Sequence, residues 1–188
     1  MANDPIDLLA PGLRGWTIAD RFDFAERGEI SLDSGTLSIG KGRPASGLSY
    51  RGPQPGDFYR IAWEARRTVG SDFFCGLTFP IRGSHATLIV GGWGGGVIGI
   101  SNIDNMSAVE NPTTEYREFE LNRWYRFEME VNKTAVLFAI DGERVIDLDH
   151  DEHKYSVWWE QEQMAPIGLA TWDTASEIRK LTLTNLDG

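Results

Sequence analysis

After Trp16 the chain alternates apolar and polar residues with a period of two, and the alternating runs are broken by Gly, Pro, Asn and Asp. Successive side chains of a strand point to opposite faces, so this pattern predicts half-buried strands joined by turns. In the run from Trp124 to Val131, Tyr125, Phe127, Met129 and Val131 share one face, and Arg126, Glu128 and Glu130 share the other. Tyr59, Ile61, Trp63 and Ala65 alternate in the same way with Arg60, Glu64 and Arg66, and Phe73, Cys75, Leu77 and Phe79 fall on one face of the next run. Asp141-Gly142 separates two apolar runs and suits the positive φ angles of a type I′ turn, which predicts a hairpin. Further strands are expected at Glu29 to Leu32, Thr36 to Ile39, Leu48 to Tyr50, Thr87 to Val90, Val97 to Ile100, Tyr116 to Leu121, Ile167 to Thr171 and Leu181 to Thr184. About a dozen short strands require two packed sheets, since one open sheet would leave a broad apolar face in water. The expected fold is therefore an all-β jelly-roll sandwich with little helix. One helical turn is expected at Asp4 to Leu9, where Asp4 would cap and Pro5 would stand first.

The length of 188 residues suits one domain spanning the whole chain. Eighteen Lys and Arg against 28 Asp and Glu give a net charge of −10. Such a surface repels polyanions, so nucleic acid is excluded as a partner. No apolar run approaches the ~20 residues that cross a bilayer, which excludes membrane insertion by a helix. Cys75 has no cysteine to pair with, and its register with large apolar residues places the thiol in the core. Met1 to Ala10 carries Asn3, Asp4 and Asp7 in place of a basic start and an apolar run, so it does not read as a secretory signal. Localisation stays open between the cytosol and export with a removed leader.

The order of landmarks points further. Leu8-Leu9-Ala10-Pro11-Gly12-Leu13-Arg14-Gly15-Trp16 resembles the opening motif of the 3-keto-disaccharide hydrolase domain family. The segments from Asp57 to Arg66, Arg123-Trp124-Tyr125-Arg126, the Asp141-Gly142 hairpin and Ala165-Pro166-Ile167-Gly168-Leu169 are similar to its later landmarks, so the resemblance spans about residues 8–183. It implies a concanavalin A-like sandwich associated with the degradation of 3-oxidised glycosides. His85-Ala86-Thr87-Leu88-Ile89 and Trp172-Asp173-Thr174 depart from the polar pattern of many relatives, which keeps a non-catalytic glycan-binding module open as an alternative. An adhesion or assembly domain with an aromatic face is the third reading.

Sugars offer flat C–H faces and rings of hydroxyls, so a site for them needs exposed aromatics beside carboxylates, amides or Arg. Of the seven tryptophans, Trp16, Trp63 and Trp124 belong to strand patterns and read as packing residues. Trp93 stands among five glycines, Gly91, Gly92, Gly94, Gly95 and Gly96, in what reads as a mobile loop, and is a candidate lid or plug. Trp158-Trp159-Glu160 would turn one indole outward if extended. The expected substrate-binding residues are Trp93, Trp159 and Trp172 for stacking and Arg43, Arg66, Asn102 and Glu160 for hydroxyls. His85, Asp104 and Asp173 are the expected acid and base groups, acting on a C2 proton made acidic by a C3 ketone. No cofactor is required by any motif. Asp147, Asp149 and Asp151 alternate like the carboxylate strand of retaining glucanases, and with His150 or His153 they form a candidate Ca²⁺ or other divalent metal site. Phosphate-binding, dinucleotide-binding and Ser-His-Asp signatures are absent from the sequence.

Overall fold

The computed structural model describes residues 3–186. Its strands are, in chain order, β1 (Ile6–Asp7), β2 (Trp16–Ile18), β3 (Ile30–Asp33), β4 (Thr36–Ile39), β5 (Ala45–Tyr50), β6 (Tyr59–Gly70), β7 (Cys75–Ile81), β8 (Ser84–Gly92), β9 (Val97–Ser101), β10 (Glu115–Tyr116), β11 (Tyr125–Val131), β12 (Ala135–Ile140), β13 (Glu143–Asp149), β14 (Gly168–Trp172) and β15 (Thr174–Asn185). Among the described residues the helical segments are three short 3-10 turns, Leu13–Gly15, Phe22–Phe24 and Trp159–Met164. One antiparallel sheet of eight strands runs β13-β12-β11-β6-β15-β4-β3, with β1 added on β15, and a second of seven runs β10-β9-β8-β7-β14-β5-β2. The all-β sandwich expected from the alternation is the fold observed.

The inward faces are those the alternation marks. Tyr59, Ile61, Trp63 and Ala65 of β6 are buried with Tyr125, Phe127, Met129 and Val131 of β11, in a register that pairs Trp63 with Phe127. The opposing sheet contributes Cys75, Leu77 and Phe79 of β7, Leu88 and Val90 of β8, and Leu169 of β14. Trp63 lies 5.4 Å from Phe127, and the ring of Phe74 reaches the same Phe127 at 6.2 Å, so the aromatic cluster joins the two sheets. Each such buried ring contributes about 1.5–3 kcal/mol of transfer free energy. Cys75 is fully buried among them, and burial pushes its thiol up to about 12, as its core register implies. The hairpin turns at Asp141 (φ 51°) and Gly142 (φ 85°) between β12 and β13.

Two expectations are corrected. The segment from Asp4 to Leu9 is not a helical turn: Ile6 and Asp7 pair with Leu183 and Thr182, and burial of Leu8 and Leu9 against the core outweighs the local helix signal. The strand expected at Tyr116 to Leu121 is cut short at Tyr116. Phe119 leaves the sheet to close one end of the core, edge-on to Phe74 and Tyr125 at 5.1 Å each.

The outer face of the seven-stranded sheet has an unusual surface. One cross-strand row reads Ser49, Gly168, Thr78, Thr87 and Ser101, and the next reads Gly47, Ala170, Gly76, Ile89 and Gly99. The hydroxyls of Thr78 and Thr87 lie 2.8 Å apart and satisfy each other. These small side chains let other segments lie on the sheet. A Cβ built on Gly47 would come within 2.7 Å of Met164 Sδ and 2.9 Å of Phe24, which explains the glycine there. Phe24 and Met164, from the 3-10 turns Phe22–Phe24 and Trp159–Met164, form with Phe73, Ile89 and Ala170 a second apolar cluster on this face.

Candidate functional site

Where that covering stops, the sheet is left with a cavity of about 400 Å³. This lies within the range of small-ligand sites. Ile89 of β8 forms part of its floor, and Phe73, Trp93, Trp158 and Trp172 supply aromatic walls. Asp72 and Glu160 bring carboxylates to it, and Ser101, Ser107 and Gln161 bring neutral polar groups. Phe73 and Trp172 brace each other with ring centroids 6.2 Å apart. Trp93 is 49% exposed and Trp158 39%, so both indoles keep a wet surface on which a flat ligand can stack. Gln161 is 3% exposed and its Oε1 has no hydrogen-bond partner among the described residues. A buried acceptor left unpaired costs about 1–3 kcal/mol.

The two carboxylates differ in setting. Burial pushes Asp72 above its ordinary range, opposed by N–H bonds from Phe73 and Trp93 and by the Arg67 charge, and reinforced by Asp173. The Phe73 amide lies 2.7 Å from Asp72 Oδ1. Burial, with Asp23 nearby, also pushes Glu160 up. No donor meets the Glu160 carboxyl among the described residues. Asp72 thus carries bonds that favour its charged form, and Glu160 carries none.

The glycine-rich segment expected to be a mobile loop is pinned. Gly91 and Gly92 belong to β8, and the Arg67 guanidinium bonds the carbonyls of Gly91 and Gly95 at 3.0 Å each. Trp93 sits between them at φ 46°, a left-handed conformation that costs an L residue about 1–2 kcal/mol. Strain of this kind gathers at ligand sites.

The structure brings three of the expected residues together and separates the others. Trp93, Trp172 and Glu160 line the cavity, and Trp158 lines it where Trp159 was expected. Trp159 is 59% exposed and opens the 3-10 turn, because this segment is not extended. Asn102 is buried beside the cavity residue Ser101, with its amide nitrogen 3.4 Å from Ser156 Oγ. Asp173 adjoins Trp172 but turns to solvent, where it pairs with Lys41 at 3.0 Å. Arg43 is exposed, and Arg66 lies on the far sheet paired with Glu177 at 2.6 Å. Asp104 is in an exposed loop, where His153, at 2.7 Å, and the Lys154 amide hold its carboxyl below the usual range.

His85 is paired with Pro80 beside the β7–β8 turn and lines a different cavity of about 700 Å³ with Arg82, Lys133 and His150. Eight residue steps along β8 separate it from Trp93, about 26 Å at ~3.3 Å per residue, so the two cannot touch one sugar ring. Asp147 meets Arg144 at 3.4 Å, and Asp149 accepts the amide of Asp151. His150 is held between Tyr155 and the Asn132 carbonyl. Among the described residues no group of three or more His, Cys, Asp or Glu is gathered to hold a metal ion.

Asp72 and Arg67 escaped sequence reading. Asp72 stands in a turn, where carboxylates are common. Arg67 did leave a signal: it continues the inward series Tyr59, Ile61, Trp63, Ala65.

The chain is thus an all-β sandwich with an aromatic, carboxylate-bearing cavity on one outer face. The chain is a member of the 3-keto-alpha-glucoside-1,2-lyase-like domain family, whose model matches residues 12–184. Among curated proteins none matches the sequence. Solved structures share the fold at low identity. The carbohydrate-binding module CBM66 from Bacillus subtilis has a TM-score of 0.59 and 13% identity over 90% of this chain and 94% of its own. A non-specific endo-β-1,3(4)-glucanase of family GH16 has a TM-score of 0.64 and 10% identity over 98% and 93%. The Crh5 transglycosylase has a TM-score of 0.61 and 11% identity over 98% and 84%.

Proposed function

We propose that the chain cleaves 3-keto glycosides in the cavity on the outer face of the seven-stranded sheet. The observation that carries this reading is the pair of carboxylates, Asp72 and Glu160, set among half-exposed indoles and differing in hydrogen bonding. Two titratable groups in unlike settings divide the roles of base and acid. Asp72, whose charged form is held by two amides, is the base that removes the C2 proton made acidic by the C3 ketone. The C2–H electron pair becomes the C2=C3 bond of an enolate, the enolate collapses to restore the C3 ketone and form the C1=C2 bond as the C1–O bond breaks, and Glu160 gives its proton to the departing oxygen. The products are an unsaturated keto sugar and the free aglycone, and addition of water to the former completes a net hydrolysis. Trp93, Trp158 and Trp172 stack on the sugar, and Gln161 accepts a hydroxyl.

The test is release of aglycone from a 3-keto glucoside carrying deuterium at C2, with and without a chelator. Release with a primary isotope effect supports the elimination. No release under any condition discards it. A second reading is a glycan-binding module without turnover, favoured by the half-exposed Trp93 and Trp158, whose stacking needs no acid or base. Saccharide binding lost on Trp93→Ala, with no turnover of the keto sugar, selects it.

A further inference from the structure

Arg67 is 5% exposed and faces inward from β6, where a core side chain would be expected. Its Nη2 group meets three main-chain oxygens, Asp72 at 2.9 Å and Gly91 and Gly95 at 3.0 Å each, and its plane lies over Phe74 at 5.0 Å. Its Nε finds no partner among the described residues. Burying a cation whose hydrogen bonds go to main-chain carbonyls rather than to a carboxylate is expensive, and an apolar residue of similar volume would commonly be as stable or more so. Its stabilising value to the fold alone does not account for it.

What Arg67 ties together does. One carbonyl belongs to Asp72, and the other two flank Trp93, whose amide in turn donates to the Asp72 carboxylate. We propose that Arg67 is a positioning residue that locks the Asp72 carboxylate and the Trp93 indole into one geometry across two separate loops. The proposal rests on the reading of Asp72 as a working group of the cavity. The groups facing Asp72 are Arg67 from β6, the Trp93 amide from the β8–β9 loop, Thr174 Oγ1, which accepts the Asp72 amide at 3.0 Å, and Asp173, itself paired with Lys41. Arg67 is the cation among them that acts on Asp72 directly, and it opposes the upward push of burial and of Asp173.

Arg67→Lys keeps the charge but replaces the planar fork with a compact ammonium, and Arg67→Met removes the charge. Hydrogen exchange of the amides of residues 91–96 and NMR titration of the Asp72 carboxyl are read on both variants. Arg67→Lys is expected to speed exchange there by about tenfold or more, with the β11–β12 amides unchanged. Arg67→Met is expected to raise the Asp72 midpoint, a shift that a purely structural role would not produce. In turnover, Arg67→Lys should lower kcat by about tenfold or more and change KM less. Folded variants with unaltered loop exchange and unaltered Asp72 titration overturn the proposal. If Arg67→Met does not fold, exchange in Arg67→Lys decides alone. Failure of the underlying reading shows separately, as full turnover by Asp72→Asn while loop exchange in Arg67→Lys is still altered.

Discussion

The two outer faces of this sandwich are built from the same alternation and have opposite chemistry. On the eight-stranded sheet, charges find one another: Arg60 bonds Glu130 at 2.8 Å, and Arg179 and Lys180 close on Glu64 at 2.6 and 3.0 Å. Trp124 is clamped between Arg66 and Arg179, whose guanidiniums lie 4.7 and 3.9 Å from the ring. On the seven-stranded sheet the two outward rows hold Gly, Ala, Ser and Thr with Ile89 as the one larger side chain, and among the described residues the carboxylates beside them, Asp72 and Glu160, form no ion pair. The pKa directions follow. Burial pushes Glu64 up, but its bonds to Arg179 and Lys180 more than cancel this and leave it below its ordinary value, whereas Asp72 and Glu160 are left above theirs. A face that satisfies its own charges has nothing left to offer a ligand.

The largest effect that should separate the faces is catalytic. Glu160→Gln removes the proposed acid and should slow cleavage by about 10²–10⁴-fold, less for an aglycone that leaves readily without a proton. A leaving-group series in steady-state kinetics checks this, and equal losses for good and poor leaving groups would reassign Glu160. Next in size is stacking: Trp93→Ala should weaken saccharide binding by about tenfold in calorimetry, while Trp124→Ala should leave it unchanged. Equal losses from both would mean that the cavity is not where sugar binds. The smallest effect concerns pH. Glu64 has a lowered folded pKa, so its contribution is present above the unfolded value and is lost as pH falls through the folded one. Glu64→Gln should therefore cost below about 1 kcal/mol at pH 7, and the gap from the parent protein in thermal melts should close in acid. For Asp72 and Glu160 the sign reverses: their ionised forms cost stability at neutral pH, and that cost fades as pH falls through their raised values.

Much of the sandwich was legible because burial on one face imposes alternation, and the alternation of Tyr125, Phe127, Met129 and Val131 survives intact in the structure. Asp141-Gly142 was equally readable, since its backbone demands are local. Segments whose shape is set from a distance were not. Phe119 left its strand to fill the end of the core, and the stretch at Ile6 joined the far terminus of the chain as an edge strand. For the site, composition marked Trp93, Trp172 and Glu160 but gave no means of knowing which acids share their cavity. His85 and Trp93 are the instructive pair: one stands near the start of β8 and the other just past its end, and counting residues between them already places them at opposite ends. Asp72 became visible only when the Arg67 carbonyl bonds and the Trp93 amide converged on it.

The most direct test compares turnover of a 3-keto glucoside by Asp72→Asn and by His85→Asn. The cavity bearing Asp72 predicts a loss of about 100-fold or more for the first and a change within about twofold for the second. A crippled His85→Asn beside an active Asp72→Asn would move the chemistry to the other end of β8 and contradict the account.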